Sequence, residues 1–198
     1  MIKAVLFDMG GVVATNIEDY RYPGLEKISN LNKNDIKKRV KSVEHKFDVG
    51  KISVEDFFKS VAKVLDVKDY RKVKKIFVDT IMKKSKLNNV VIQSAKQLKE
   101  DGYKIGILSN TNVLDSSVHR KRKDFDLFSP VILSNEVGHR KPERKIYQIA
   151  LNKLKVNPEE CIFIDDKKSK LISAKKLGIK TILFKSSSQM KKDIKRLL

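Results

Sequence analysis

The chain contains one cysteine, Cys161, so an internal disulfide is excluded and the fold must rest on packing. Cys161 lies inside the apolar run CIFID and reads as a small buried residue. Long hydrophobic runs are also missing, and none approaches the ~18–20 residues that a membrane span needs. The first residues, MIKAVLFDMG, form a short strand pattern ending in an acid rather than a secretory leader, so the expected location is cytoplasmic. There is no internal repeat, no low-complexity segment, no zinc-knuckle or RNA-recognition signature and no basic block interleaved with aromatics. These absences bear on the charge. With 44 Lys and Arg against 24 Asp and Glu, the formal net charge is +20, which would otherwise invite a nucleic-acid reading. The excess is mostly lysine and is spread along the whole chain. It reads as a solvated surface that attracts small anionic substrates, with neither nucleic acid nor a membrane as the expected partner.

At 198 residues and 40% apolar content, the chain is long enough to bury a real core. IKAVLF is a continuous apolar run stopped by Asp8-Met9-Gly10-Gly11, the pattern of a buried strand followed by a tight loop. Between residues 103 and 198, the runs YKIGILS, PVILS, CIFID and TILF alternate with helical patterns near 89–101, 113–121, 142–154 and 168–177. That alternation predicts a parallel sheet covered by helices, an α/β fold with a Rossmann-like core. Residues 15–88 show no strand pattern. They carry helical spacing near 34–46, 53–65 and 69–83, with Ser53 and Asp56 forming an N-cap signal. The expected division is an α/β core from 1–14 and 89–198, with an all-helical cap at 15–88. The polar tail from Lys185 ends in a short amphipathic stretch.

Polar groups stand where the apolar runs stop, which is where a parallel sheet delivers functional side chains. Asp8 ends the first strand, Ser109 the second, and Asp165 and Asp166 end CIFID, while Lys141 lies in the loop sequence HRKPE. A carboxylate in the first position can act as a nucleophile, a hydroxyl and an ammonium can hold an anion, and an acidic pair can share a divalent metal. Each residue alone has a duller reading as a cap, a turn or a surface charge. The ordered set is the informative feature. His45, His119 and His139 lack ligand spacing, and of these only His45, in EHKFDVG, is placed to face a substrate from the helical segment.

FDMGG, LSNTN, RKPE and FIDD, in that order, resemble the four motifs of the haloacid dehalogenase-type phosphohydrolases. IYQ, LGI and GKIS-x-E-x-F add similarity to the branch that holds bacterial sugar-phosphate phosphatases, alpha-glucose-1-phosphate phosphatase among them, and the N-terminal domain of soluble epoxide hydrolase. The resemblance covers essentially residues 1–185 and implies the haloacid dehalogenase fold with a small helical cap. It implies a hydrolase acting on a small phosphomonoester such as a sugar phosphate. Asp8 is then the nucleophile that forms an aspartyl-phosphate, and Lys141 a fixed positive charge on the phosphoryl oxygens. Ser109 and the amides around Asn110 would hold the remaining oxygens, with Gly10 and Gly11 letting the loop approach the phosphate. Mg2+ would sit among Asp8, the Gly10 carbonyl and Asp166, with Asp165 acting directly or through water.

Two positions depart from the family pattern. Gly10 stands where most members carry a second Asp that serves as general acid and base, although this branch also tends to carry glycine there. Lys170 stands where an Asn often follows the acidic pair. Two other classes therefore stay open at this point. One is a slow or inactive relative that binds phosphorylated ligands or a partner. The other is a metal-independent dehalogenase, which the acids beside Asp8 disfavour because they would repel it without a cation. The sequence sets neither the substrate nor the oligomeric state.

Overall fold

In β1 (Ala4–Phe7) every side chain is buried, Val5 and Phe7 on one face and Ala4 and Leu6 on the other. A strand buried on both faces belongs inside a parallel sheet. The computed structural model describes residues 1–198, the side chain of Asp19 apart, and places β1 at the centre of such a sheet. The other strands are β2 (Lys104–Ser109), β3 (Val131–Leu133), β4 (Cys161–Asp165) and β5 (Lys180–Leu183), all parallel, in the order β3-β2-β1-β4-β5.

Helices cover both faces. Val91, Ala95 and Leu98 of α5 (Asn89–Glu100) join Val5, Phe7, Ile107 and Ile164 on one side. Ile146, Tyr147 and Leu151 of α8 (Arg144–Leu154) and Leu171 of α9 (Lys168–Lys176) join Leu6, Leu108 and Phe163 on the other. Cys161 is fully buried in this second layer, and burial pushes its thiol up to about 12, as suits an inert packing residue. The α/β class and the strand and helix pattern of the core agree with the sequence reading.

Between β1 and α5 the chain makes four helices, α1 (Glu18–Ser29), α2 (Lys33–Asp48), α3 (Val54–Val64) and α4 (Tyr70–Lys84). They share a separate apolar cluster in which Phe47 stacks on Phe57 at 4.1 Å. Each large apolar side chain so buried stabilises the fold by roughly 1.5–3 kcal/mol. Ser53 caps α3 as expected, accepting from Asp56 N at 3.1 Å. The chain enters and leaves this helical segment through adjacent strands of backbone, with Thr15 N donating to Lys86 O at 2.9 Å and Asn88 N to Val13 O at 2.8 Å.

Three helices were not expected, one of them the four-residue α7 (Ser134–Val137). α1 runs through Pro23-Gly24, a dipeptide that reads as a turn. There Gly24 permits close packing on α4, since a Cβ on it would lie 3.0 Å from Ile76 Cγ2. The polar tail also forms a full helix, α10 (Ser187–Leu197), held by a Ser186/Gln189 capping box and anchored through buried Met190 and Ile194. Two short helices complete the set, α6 (Val113–Lys121) and α7 (Ser134–Val137). No helix among the described residues is long and apolar enough to cross a membrane.

Candidate active site

Register places the polar strand ends together. Phe7 pairs with Ile107 on one side and Ile164 on the other, so Asp8, one residue on, falls level with Asp165. The Asp8 carboxylate accepts from Met9 N at 2.7 Å and from Lys141 Nζ at 2.9 Å, both through Oδ1. Its other oxygen is left for a ligand or a substrate. Burial raises Asp8 to about 7; Lys141 opposes that rise, and Asp165 and Asp166 add to it.

Lys141 is 1% exposed and lies between two carboxylates, donating to Asp165 Oδ2 at 2.6 Å as well as to Asp8. Burial by itself would lower this ammonium, but Asp8 and Asp165 outweigh it and hold it above its ordinary value. Its backbone is fixed from two sides. Asn110 grips it reciprocally, donating from Nδ2 to Lys141 O at 2.8 Å and accepting from Lys141 N at 2.7 Å. Lys170 Nζ donates to the same carbonyl at 2.7 Å. Lys170, one of the two departures from the family pattern, thus serves as a brace for Lys141. The Asn110 side chain is likewise committed to positioning, which leaves its backbone amide for an anion.

Ser109 is 2% exposed, and its hydroxyl makes only a long contact of 3.4 Å to Asn110 O. The next amides are already engaged. Thr111 N donates to Ser134 Oγ at 2.9 Å, and the Asn112 side chain caps Leu114 N and Asp115 N at 3.0 Å. An anion at this strand end therefore meets Ser109 and the Asn110 amide rather than an uncapped helix.

The acidic pair divides its work. Both Asp165 oxygens already accept a bond, Oδ2 from Lys141 and Oδ1 from Lys167 N at 2.8 Å. Asp166 is different: its Oδ1 is buried and has no partner among the described residues, while Oδ2 faces Lys167 Nζ at 3.2 Å. One carboxylate oxygen each from Asp8, Asp165 and Asp166 lie within 4.8 Å of one another. A buried carboxylate oxygen without a donor, beside two other acids, fits a hard divalent cation. The two glycines have unequal roles. A Cβ on Gly10 would meet nothing within 4 Å, whereas Gly11 has φ +88° and a Cβ there would lie 2.6 Å from Asp166 Oδ2. The tight approach in this loop is thus Gly11 to Asp166.

Asp8, Gly10, Ser109, Asn110, Lys141 and Asp166 line a cavity of about 340 Å³ that residues of the helical segment and α6 also line. Lys41, Glu44 and Asp48 project from α2, and Arg21 of α1 holds Asp115 of α6 through NH2 at 3.1 and 2.9 Å. Asp48 Oδ2 pairs with Arg140 NH1 at 3.1 Å. Burial, with Glu44 beside it, raises Asp48 to about 7 against the pull of Arg140. Burial also raises Glu44, with Glu18 adding to the effect. The sequence reading missed these groups. The available signal was the spacing of Lys41, Glu44 and Asp48, a polar stripe beside the apolar face of Ile36, Val40 and Phe47. His45, the histidine singled out, is exposed and reaches only Arg140, at 3.5 Å. His119 is buried against Asp124 at 2.7 Å, and His139 pairs with Glu143 at 3.1 Å.

A sequence-family model described as haloacid dehalogenase-like hydrolase matches residues 2–178. The chain belongs to that family. Among curated members, bifunctional epoxide hydrolase 2 of Sus scrofa is 34% identical over 133 residues, 63% of this chain and 23% of that protein. Glyceraldehyde 3-phosphate phosphatase of Pyrococcus furiosus is 34% identical over 100 residues, 50% of this chain and 42% of that protein. The matches thus span less than half the length of either relative. In fold, a haloacid dehalogenase family enzyme of Bacteroides thetaiotaomicron, solved with magnesium and inorganic phosphate, superposes with a TM-score of 0.76 at 22% identity. That alignment covers 93% of this chain and 95% of that one. In this haloacid dehalogenase-like hydrolase, the strand-end cluster of Asp8, Lys141, Asp165 and Asp166 occupies the mouth of the parallel sheet where such folds bind ligands.

Proposed function

We propose that the protein is a Mg2+-dependent phosphomonoesterase acting on a small phosphorylated metabolite, with residues 15–88 as a cap over the site. The observation that carries this reading is Lys141, sealed between Asp8 and Asp165 while Asp166 keeps a buried oxygen unpaired. Asp8 is the nucleophile. Its free oxygen attacks phosphorus, the bond to the leaving oxygen breaks, and an aspartyl-phosphate forms. Lys141 holds a positive charge against the nucleophile and the phosphoryl oxygens throughout, in a water-poor place where such a charge counts most. Ser109 and the Asn110 amide hold the remaining oxygens. Asp8, the Gly10 carbonyl and Asp166 would hold Mg2+, which would supply the charge neutralisation that a carboxylate needs to approach a phosphate. Asp165 orients Lys141 and would support the metal indirectly, since both its oxygens are engaged.

Support for a phosphate ester comes from the named activity of the Pyrococcus furiosus relative and from the phosphate held by the Bacteroides thetaiotaomicron enzyme. The rest of the cavity lining is rich in charged groups, among them Lys41, Glu44, Asp48 and Arg140, which suits a small polar leaving group such as a sugar. A screen of phosphorylated sugars and nucleotides, run with Mg2+ and with a chelator, tests the proposal. Metal-dependent release of phosphate supports it. Chelator-insensitive turnover of a haloacid with no phosphatase activity would replace it with the dehalogenase reading.

A further inference from the structure

Gly10 leaves the site without an acid next to the nucleophile, and the groups around Asp8 cannot fill that role. Lys141 is spent between two carboxylates, and Asp165 is saturated by Lys141 and Lys167 N. Asp166 lies among the groups assigned to the metal. The proton must come from elsewhere in the cavity.

We infer that Asp48, in the cavity lining on α2, is the general acid and base of this site in place of the missing side chain at Gly10. The inference rests on the phosphatase reading and extends it. Three features place Asp48 for the task. It lines the same cavity as Asp8. Its carboxylate is tied to Arg140, the residue next to Lys141, which itself bonds Asp8, so its position relative to the nucleophile is set through a short rigid path. The turn that follows it packs closely on the core: Gly50 has φ +70°, and a Cβ there would lie 2.5 Å from the Asn135 carbonyl in α7. Only glycine permits so close an approach of the end of α2 to the core.

The surroundings also suit proton transfer near neutral pH. Glu44 on the same helix and Asp115 on α6 disfavour the charged form, while Arg140 and Lys170 of α9 favour it; burial tips the balance to about 7. A group with that midpoint has both forms available at neutral pH, as acid–base catalysis requires. In the first step the Asp48 carboxyl gives its proton to the leaving oxygen as the phosphorus–oxygen bond breaks and the Asp8 ester forms. In the second, the Asp48 carboxylate takes a proton from water as that water's oxygen attacks phosphorus. Phosphate leaves, and Asp8 and protonated Asp48 are restored. Glu44 lies one turn back toward Glu18 and Arg21 and tunes Asp48 rather than replacing it.

The test compares an alkyl phosphate with an aryl phosphate, in Mg2+, for the wild type, Asp48→Asn, Glu44→Gln, Gly10→Asp and the Asp48→Asn/Gly10→Asp double variant. An alkyl leaving group needs the proton and an aryl one scarcely does. Asp48→Asn should lower kcat for the alkyl ester by about 10²–10⁴-fold. Formation of aspartyl-phosphate from the aryl ester should be nearly unchanged, and that intermediate should accumulate. Glu44→Gln should lose far less. Space is open at Gly10, so an acid there should restore alkyl turnover to the Asp48→Asn background. Equal losses for both esters, carried by KM, would overturn the inference and make Asp48 a binding residue. Turnover that survives Asp8→Asn in the same assay would instead sink the underlying phosphatase mechanism, whatever Asp48 does.

Discussion

A side chain on Gly11 would put its Cβ 2.6 Å from Asp166 Oδ2, so the loop after β1 and the acidic turn after β4 are fitted to each other across a gap with no room for a methyl. Gly11 also holds φ +88°, which costs other residues about 1–2 kcal/mol. Gly11→Ala should displace Asp166 and raise the Mg2+ concentration needed for half activity. Gly10→Ala, where a Cβ meets open space, should leave that concentration nearly unchanged. Metal titrations of the two variants check the contrast, and equal responses would show that the approach to Asp166 is not what the loop provides.

The two acids of the pair should fail in different ways. Asp166→Ala removes the unpaired buried oxygen and should weaken metal response while the protein unfolds at nearly the wild-type temperature. Asp165→Ala takes away a buried partner of Lys141 and the acceptor for Lys167 N, so its main effect should be lost stability of about 3–5 kcal/mol. Denaturant melts and Mg2+ titrations of both variants separate the roles. A stable Asp165→Ala with normal Lys141 function would contradict the division.

Much of this site was legible because the residues that matter end apolar runs. AVLF and CIFID are buried throughout and give way to Asp8 and to Asp165-Asp166, so the ends of the continuous apolar runs located the strand ends. The missing parts depend on contacts between distant segments. Arg140 and Asp48 meet only because α2 folds over the sheet, and the Asn110 grip on Lys141 joins two loops through side-chain and backbone atoms. Local composition also misled. Pro23-Gly24 hid α1, whose regularity depends on packing against Ile76, and lysines hid α10, which docks through little more than Met190 and Ile194.

The raised Asp48 midpoint carries a stability signature. In the unfolded chain this acid titrates near its ordinary 3.8, and in the folded protein near 7. Between those values the native state holds a proton that the unfolded state has lost, so stability falls as pH rises through this window and levels off above it. Asp48→Asn cannot titrate. The variant should therefore gain on the wild type as pH goes from about 5 to about 8, by on the order of a few kcal/mol. Thermal melts at both pH values measure the gap, and a gap that does not widen would mean that Asp48 is charged throughout.

The central claim is that Asp8 carries the phosphoryl group, because Asp8 lines the cavity and Lys141 and Met9 N both bind its Oδ1, leaving Oδ2 for the attack. The most direct measurement is to mix the enzyme and Mg2+ with a phosphorus-labelled aryl phosphate, quench in acid and locate the label by peptide mass spectrometry. The account predicts an acid-stable, base-labile phosphoryl group on Asp8 that is absent from Asp8→Asn, together with loss of turnover in that variant. Rapid phosphate release with no label on Asp8, or activity retained by Asp8→Asn, would contradict it.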